Sequence, residues 1–309
     1  MADGNTLYEC VTEFLMYLKG VLVLSENTLT SYKCDLEQFM NMPGINRHAS
    51  IKTVTVENLR QCIGELSRKK RAASSINRFI SAFRSLFAYC RKIGYIDVNP
   101  AASIKSVKMP KRLPRFMTQA EVDELCNQPA VKELLWEKRD KALFEMMYSS
   151  GCRVSEIANL HLSDISADFS QAVVTGKGKK DRIVYFADDA RKAMREYIDD
   201  RRCRFGPLHL QAEKSFFVNQ HGAALSVRGI SYILSRYSGG DGTNHHVSPH
   251  AFRHTFATAM ITNGADVRLV QELLGHSSIS TTQRYTHIST EKMIELYNKA
   301  HPHGGNKDE

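Results

Sequence analysis

From Leu7 to Lys92 apolar residues recur every three to four positions in four stretches, LYECVTEFLMYL, TLTSYKCDLEQFM, TVENLRQCIGEL and SSINRFISAFRSLFAYCRKIG. That is the period of helices with one buried face, and it predicts a small four-helix bundle. Ser25, Thr55 and Ser74 stand where N-caps are expected, and Gly94 stands where the fourth helix should stop. After VNPAAS the periodicity lapses. IKSVKMPKRLPRFMT carries two prolines with Lys105, Lys108, Lys111, Arg112 and Arg115, which reads as a stiff, solvated linker. Helical patterns resume at TQAEVDELCNQ and KRDKALFEMMYSSGCRVSEIANL, and again over 188–204, 225–237, 248–263, 266–274 and 291–300. Between them, QAVVTGKGKKDRIVYF holds two short β-rich runs around a basic turn, the pattern of a hairpin. The expected organisation is a helical domain over 1–105, a linker over 106–116, a mostly α domain with one small antiparallel sheet over 117–301, and a frayed tail over 302–309.

At 309 residues the chain has room for two cores. Forty-two basic against 33 acidic side chains leave a formal charge of +9, which favours a polyanionic partner such as nucleic acid. Residues 1–100 hold 13 basic and 9 acidic side chains, so the surplus is shared between the halves and both are expected to touch the polyanion. The SRKKR run at 67–71 is read as a solvated connector, or as a phosphate contact if the bundle binds DNA. The seven cysteines are widely spaced without a C-x-x-C pair, which fits a reducing cytoplasm. The N-terminus has no signal-peptide pattern and no apolar run nears the ~18 residues of a membrane span, so a cytoplasmic protein without a membrane partner is expected.

Five elements could carry chemistry. SPHAFRHTFATAM opens a helix at Ser248-Pro249 and places His250 and Arg253 three residues apart on one face. Arg153 opens a helical turn with Glu156 three residues on, Lys177 sits at the tip of the hairpin, His276 follows a helix stop, and Tyr285 is flanked in sequence by His276 and His287. Each has an ordinary structural explanation: an ion-pairing helix face, a helix-start pair, a solvated turn lysine, a core aromatic. Together they supply two guanidiniums, one ammonium, two imidazoles and a phenol. Such a set suits phosphoryl transfer, in which charge gathers on non-bridging oxygens and is stabilised by metal ions or by cationic donors such as forked guanidiniums. A phenol with pKa ~10 must lose its proton as it attacks, so a histidine or the arginines' field is needed beside it. No carboxylates cluster at metal-ligand spacing, and neither metal nor cofactor is implied.

At these residues the sequence resembles the tyrosine recombinase (integrase) family, and within it the Xer group that resolves chromosome dimers. The resemblance runs from LSENTLTSYKCDLEQF through YSSGCRVSEIANL and GKGKKDR to SPHAFRHTFATAMITNGADVRLVQELLGHSSISTTQRYTH and the closing AHP. VLVLSENT is more apolar, and SGGDGTNHHVSPH longer and richer in glycine, than the family pattern. The resemblance implies the tyrosine recombinase fold: a four-helix SAM-like core-binding bundle and a mostly α catalytic domain, clamped around DNA. It makes Tyr285 the nucleophile that forms a 3′-phosphotyrosyl link and Lys177 the general acid toward the 5′-oxygen. Arg153 and Arg253 become the phosphate-binding arginines, His250 an aid to proton transfer at the nucleophile, His276 a donor to a non-bridging oxygen, and Glu156 a support for Arg153. The implied partners are a double-stranded recombination site, a synaptic tetramer with segment 291–301 docked on a neighbouring subunit, a paralogous recombinase and a DNA translocase activator. An integrase of a phage or mobile element would share the same chemistry. A type IB topoisomerase and a catalytically idle DNA-binding protein are the remaining readings.

Overall fold

The computed structural model describes residues 5–22, 24, 26–109, 116–132, 135–176, 178, 180–237, 247–275 and 290–304. The chain divides into two compact units, Met1–Arg112 and Leu113–Glu309. Among the described residues they contain thirteen α-helices and one two-stranded antiparallel sheet, the mostly helical architecture that the sequence predicts. No described helix is long and apolar enough to cross a membrane.

The first unit is built from α1 (Leu7–Gly20), α2 (Glu26–Met40), α3 (Val56–Arg68) and α4 (Ala73–Lys92). Thr6 and Glu9 close a capping box at the start of α1, and Thr55 with Asn58 does the same for α3. The fourth helix differs from expectation. It begins one residue before Ser74, with Ala72 at the cap and no side-chain cap bond, because the tertiary packing of α4 holds its first turn. Ser25 lies outside the described residues. Gly94 has φ +82 just past α4, the left-handed stop expected there. Along α4 the rings of Phe79, Phe83 and Phe87 all meet Phe39 of α2, at centroid distances of 6.3, 6.1 and 6.4 Å. Each such buried ring contributes about 1.5–3 kcal/mol by leaving water. Arg78 of α4 also forks onto Asp35 of α2 at 2.8 and 3.0 Å, and Asn77 binds both the N–H and the carbonyl of Val107.

The second unit is organised around α6 (Glu137–Ser150), whose residues from Ala142 to Ser150 are all buried, following α5 (Gln119–Lys132). The helical pattern read across 138–160 is broken. Gly151 takes a left-handed φ of +58 and ends α6, and α7 (Val154–Ala158) starts afresh from Arg153. A Cβ at Gly151 would sit 2.5 Å from the ring of Phe256, so only glycine allows this turn. The hairpin follows as β1 (Gln171–Thr175) and β2 (Asp181–Tyr185), in register from Gln171 opposite Tyr185 to Thr175 opposite Asp181. Then come α8 (Asp188–Phe205), α9 (His209–Ala212), α10 (Val227–Tyr237), α11 (Pro249–Thr262), α12 (Val267–Leu274) and α13 (Thr290–Ala300).

Within the single chain, segment 291–301 packs against its own domain. Met293, Tyr297 and Ala300 are buried with Phe256, Met260 and Leu269, an apolar face that finds cover within the chain. Tyr297 Oη donates to the Ser149 carbonyl at 2.9 Å and lies 2.7 Å from Ser149 Oγ, which accepts from the Ala187 N–H at 2.6 Å. The tail expected to fray from residue 302 is held through Gly304. His303 Nε2 lies 3.0 Å from Asp123 of α5, and its Nδ1 lies 3.6 Å from Glu145 of α6 and 3.3 Å from Asp189 of α8. Non-local carboxylates supply an order that a polar, glycine-rich sequence does not reveal.

Candidate active site

The short stretch from Gly151 to Glu156 meets the end of α12 and one residue of β2. Glu156 is the hub. Its Oε2 accepts from the backbone N–H of Arg153 at 2.8 Å, which caps α7, and its Oε1 accepts from Arg153 Nη1 at 2.8 Å. From the other side Arg182 of β2 donates Nη1 to Oε1 at 2.8 Å and Nη2 to Oε2 at 2.9 Å, a bidentate fork. Burial alone would raise the Glu156 carboxyl; the bonds from Arg182 and from Arg153 outweigh it and hold the group below the usual carboxylate range.

Arg253 reaches the same place from α11. Ser248 caps that helix, its Oγ accepting from the Ala251 N–H at 3.3 Å, and Pro249 occupies the first turn. Nη1 of Arg253 donates to the Gly151 carbonyl at 2.7 Å and Nη2 to the Leu274 carbonyl at 2.6 Å. Burial, then the facing charges of Arg153 and Arg182, push this guanidinium down to about 10, so it remains charged at neutral pH. His250 lies one turn earlier on α11 and is exposed.

Gly275 closes α12 with a left-handed φ of +64, and its carbonyl lies 3.5 Å from Arg153 Nη2. A Cβ there would come within 2.9 Å of Arg182 Cδ, so glycine is required for the guanidinium to pass. On the hairpin, Gly176 donates its N–H to the Lys180 carbonyl at 2.8 Å, and a Cβ on Gly176 would lie 3.5 Å from Glu156 Oε1. The structure therefore brings Arg153, Glu156 and Arg253 together, with His250 on the same helix as Arg253. Lys177, His276 and Tyr285 lie outside the described residues, but the residues directly before Lys177 and His276 both border the cluster. Arg182 was not singled out from the sequence. It stands in the quoted GKGKKDR run, where one more basic residue beside a turn carries no distinguishing signal. Among the described residues no group of three or more His, Cys, Asp or Glu is placed to hold a metal ion.

Three guanidiniums around one carboxylate leave a surplus of positive charge that is suited to an anionic group. The chain belongs to the phage integrase family, which matches residues 115–292, while the family's N-terminal SAM-like domain matches residues 11–93. Its enzyme class is that of the tyrosine site-specific DNA recombinases. It is 42% identical over 306 residues to tyrosine recombinase XerC of Treponema denticola, covering 96% of this chain and 99% of that one. To tyrosine recombinase XerD of Lacticaseibacillus casei it is 35% identical over 298 residues, covering 96% and 100%. In fold it is similar to a lambda integrase tetramer bound to a Holliday junction, with a TM-score of 0.70 at 18% identity over 90% of this chain and 80% of that one. It is likewise similar to XerH recombinase in a pre-cleavage complex with its difH substrate, with a TM-score of 0.67 at 21% identity over 94% of each chain.

Proposed function

We propose that this recombinase cleaves and rejoins double-stranded DNA through Tyr285, within a synaptic tetramer, and that its cellular task is the resolution of chromosome dimers before division. The observation that carries the chemical part is the convergence of Arg153 and Arg253 on the end of α12, with Gly275 accepting from one and Leu274 from the other. Two guanidiniums held there by opposite walls suit the two non-bridging oxygens of one phosphodiester. The Tyr285 oxygen forms a bond to phosphorus as the bond to the 5′-oxygen breaks. The phenol proton leaves toward His250, and Lys177 supplies a proton to the departing oxygen. His276 donates to a non-bridging oxygen, and Glu156 keeps Arg153 in place. The 5′-hydroxyl of a partner strand then attacks the phosphotyrosyl link and regenerates the phenol. One phosphodiester is thus exchanged for another with no net hydrolysis.

The tetramer and the DNA partner rest on the relatives: lambda integrase is seen as a tetramer on a Holliday junction, and XerH on its difH substrate. The cellular task rests on the XerC and XerD relatives that match nearly the whole chain. The test is a nicked suicide duplex carrying the dimer-resolution site of the host chromosome terminus. A covalent band and recombinant strands with the wild-type chain, both lost in Tyr285→Phe at unchanged DNA affinity, are expected. An adduct that persists in Tyr285→Phe would overturn the nucleophile. Recombination confined to the ends of a mobile element would overturn the cellular task and leave the chemistry standing.

A further inference from the structure

Arg182 is the side chain that the structure uses most heavily around the proposed phosphate pocket and that the chemistry above leaves without a task. Its side chain is only 12% exposed. Burial works against its charge, yet the bond to Glu156 outweighs burial and holds the guanidinium above the ordinary arginine value, so it stays cationic. Its donors go to three acceptors on two elements: both Glu156 oxygens, and through Nε the Leu273 carbonyl at 2.9 Å in the last turn of α12. The same group borders Gly176 and Gly275, the glycines that precede Lys177 and His276 in sequence. A Cβ on Gly176 would lie 3.7 Å from its Nη1, and one on Gly275 would lie 2.9 Å from its Cδ.

We infer that Arg182 is a positioning residue for DNA cleavage: by occupying both oxygens of Glu156 and clamping the Leu273 carbonyl, it keeps Arg153 available to the scissile phosphate and ties the hairpin turn to the end of α12. The inference rests on the reading of Arg153 as a phosphate ligand. The geometry states why a second arginine is needed. With Arg182 in place Glu156 takes one side-chain donor from Arg153, Nη1, and among the described residues Nη2 makes only the long 3.5 Å contact to Gly275. Without Arg182, Arg153 would be the one remaining ion-pair partner of Glu156 among the described residues. A bidentate pair between them would turn the Arg153 fork away from the phosphate and cancel its charge. The end of α12 would at the same time lose its tether to β2. An arginine is required because a lysine ammonium has no planar fork with which to serve a carboxylate and a carbonyl on opposite sides.

The experiment uses the full chain on two nicked suicide duplexes of the same recombination site, one with an ordinary scissile phosphate and one with a methylphosphonate. In the second, a methyl group replaces one non-bridging oxygen and the charge it carries. Arg182→Gln, Arg182→Lys and Arg153→Ala are compared with wild type for adduct formation rate, DNA affinity and melting temperature. For Arg182→Gln a loss of about 100-fold is expected on the phosphate, the scale of a misplaced catalytic group, against about 10-fold or less on the methylphosphonate. DNA affinity is expected to hold, and Arg182→Lys to recover part of the loss with the same dependence on substrate. Arg153→Ala should show the same substrate dependence more strongly. An equal loss on both duplexes for the Arg182 variants, or a loss that merely follows melting temperature, would overturn the positioning role while Arg153→Ala still discriminates. If Arg153→Ala fails to discriminate as well, the phosphate reading falls and the inference with it. If Arg182→Gln does not fold, Arg182→Lys alone decides by the same comparison.

Discussion

Arg253 Nη2 donates to the carbonyl of Leu274 at 2.6 Å, so a guanidinium from α11 holds the last residue of α12. Its other terminal nitrogen holds Gly151, the end of α6. One planar group thus fixes the ends of two helices that flank the pocket. A lysine can satisfy only one of these carbonyls and would meet the same burial and the same repulsion from Arg153 and Arg182, starting from a lower ordinary pKa of about 10.4. Arg253→Lys is therefore expected to slow adduct formation by about 10²–10³-fold, as when one oxyanion donor is removed. Its residual rate should fall as pH rises from neutral toward 9, a decline that wild type does not share. Single-turnover cleavage across that range measures both.

Gly151→Ala is expected to damage fold and activity together. The residue has φ +58, and an added methyl would sit 2.5 Å from the Phe256 ring and 3.0 Å from Leu274. Strain of about 1–3 kcal/mol from the backbone adds to overpacking of similar size. Thermal unfolding should shift down by several degrees, and adduct formation should fall because the Gly151 carbonyl is one of the two that hold Arg253.

The C-terminal seat should respond to pH through His303. Burial lowers its proton affinity, but Glu145, Asp123 and Asp189 around it outweigh burial and raise it above the ordinary histidine value. Lys141 and Lys192 line the same pocket, and neighbouring His301 is forced by burial down to about 3 and stays neutral. A raised value means that the stabilisation is complete below the unfolded pKa of about 6.5 and is lost as pH rises through the higher folded one. The difference in melting temperature between wild type and His303→Gln should be largest near pH 6 and shrink toward pH 8. A difference that grows with pH would reverse the assignment. His301 has the opposite sign: its neutral form contributes above about 6.5 and that contribution is lost as pH falls toward 3.

Tyr297→Phe removes one hydroxyl from a fully enclosed chain of hydrogen bonds. Because the phenol proton goes to the Ser149 carbonyl, the Ser149 hydroxyl donates to the phenol and accepts from Ala187. The variant leaves a buried serine proton and one carbonyl lone pair without their partner, at a cost of about 1–3 kcal/mol. A drop of a few degrees in melting temperature with cleavage chemistry retained is expected. An unchanged melting temperature would mean that the hydroxyl does not anchor α13.

Local signals were legible where one element decides the outcome. The three-to-four spacing gave the helices of both units, Thr55 and Gly94 marked real helix ends, and the apolar runs around GKGKKDR paired as a hairpin. The break between α6 and α7 was not legible, because helical periodicity continues on both sides of it. The turn depends on Phe256, a ring from α11 that leaves no room for a Cβ. Ser74 failed as a cap for a related reason: burial along α4 fixes its first turn without a side-chain bond. Arg153 and Arg253 could be picked out by residue type and spacing, whereas Arg182 could not. Its importance comes from facing Glu156 and Leu273, which are remote in sequence. His303 was hidden likewise, since the carboxylates that order it come from three separate helices.

The mutual repulsion among Arg153, Arg182 and Arg253 has a thermodynamic corollary. Three positive charges share one carboxylate, and burial together with the charges of Arg153 and Arg182 depresses Arg253 to about 10. The domain thus carries electrostatic stress where these side chains meet, and a bound oxyanion would relieve it. Vanadate or a short DNA strand should raise the unfolding temperature by more than its contacts alone would suggest, and added salt should narrow the gap. The stress that weakens the unliganded protein is also what spares the pocket from rearranging when negative charge builds up on phosphorus.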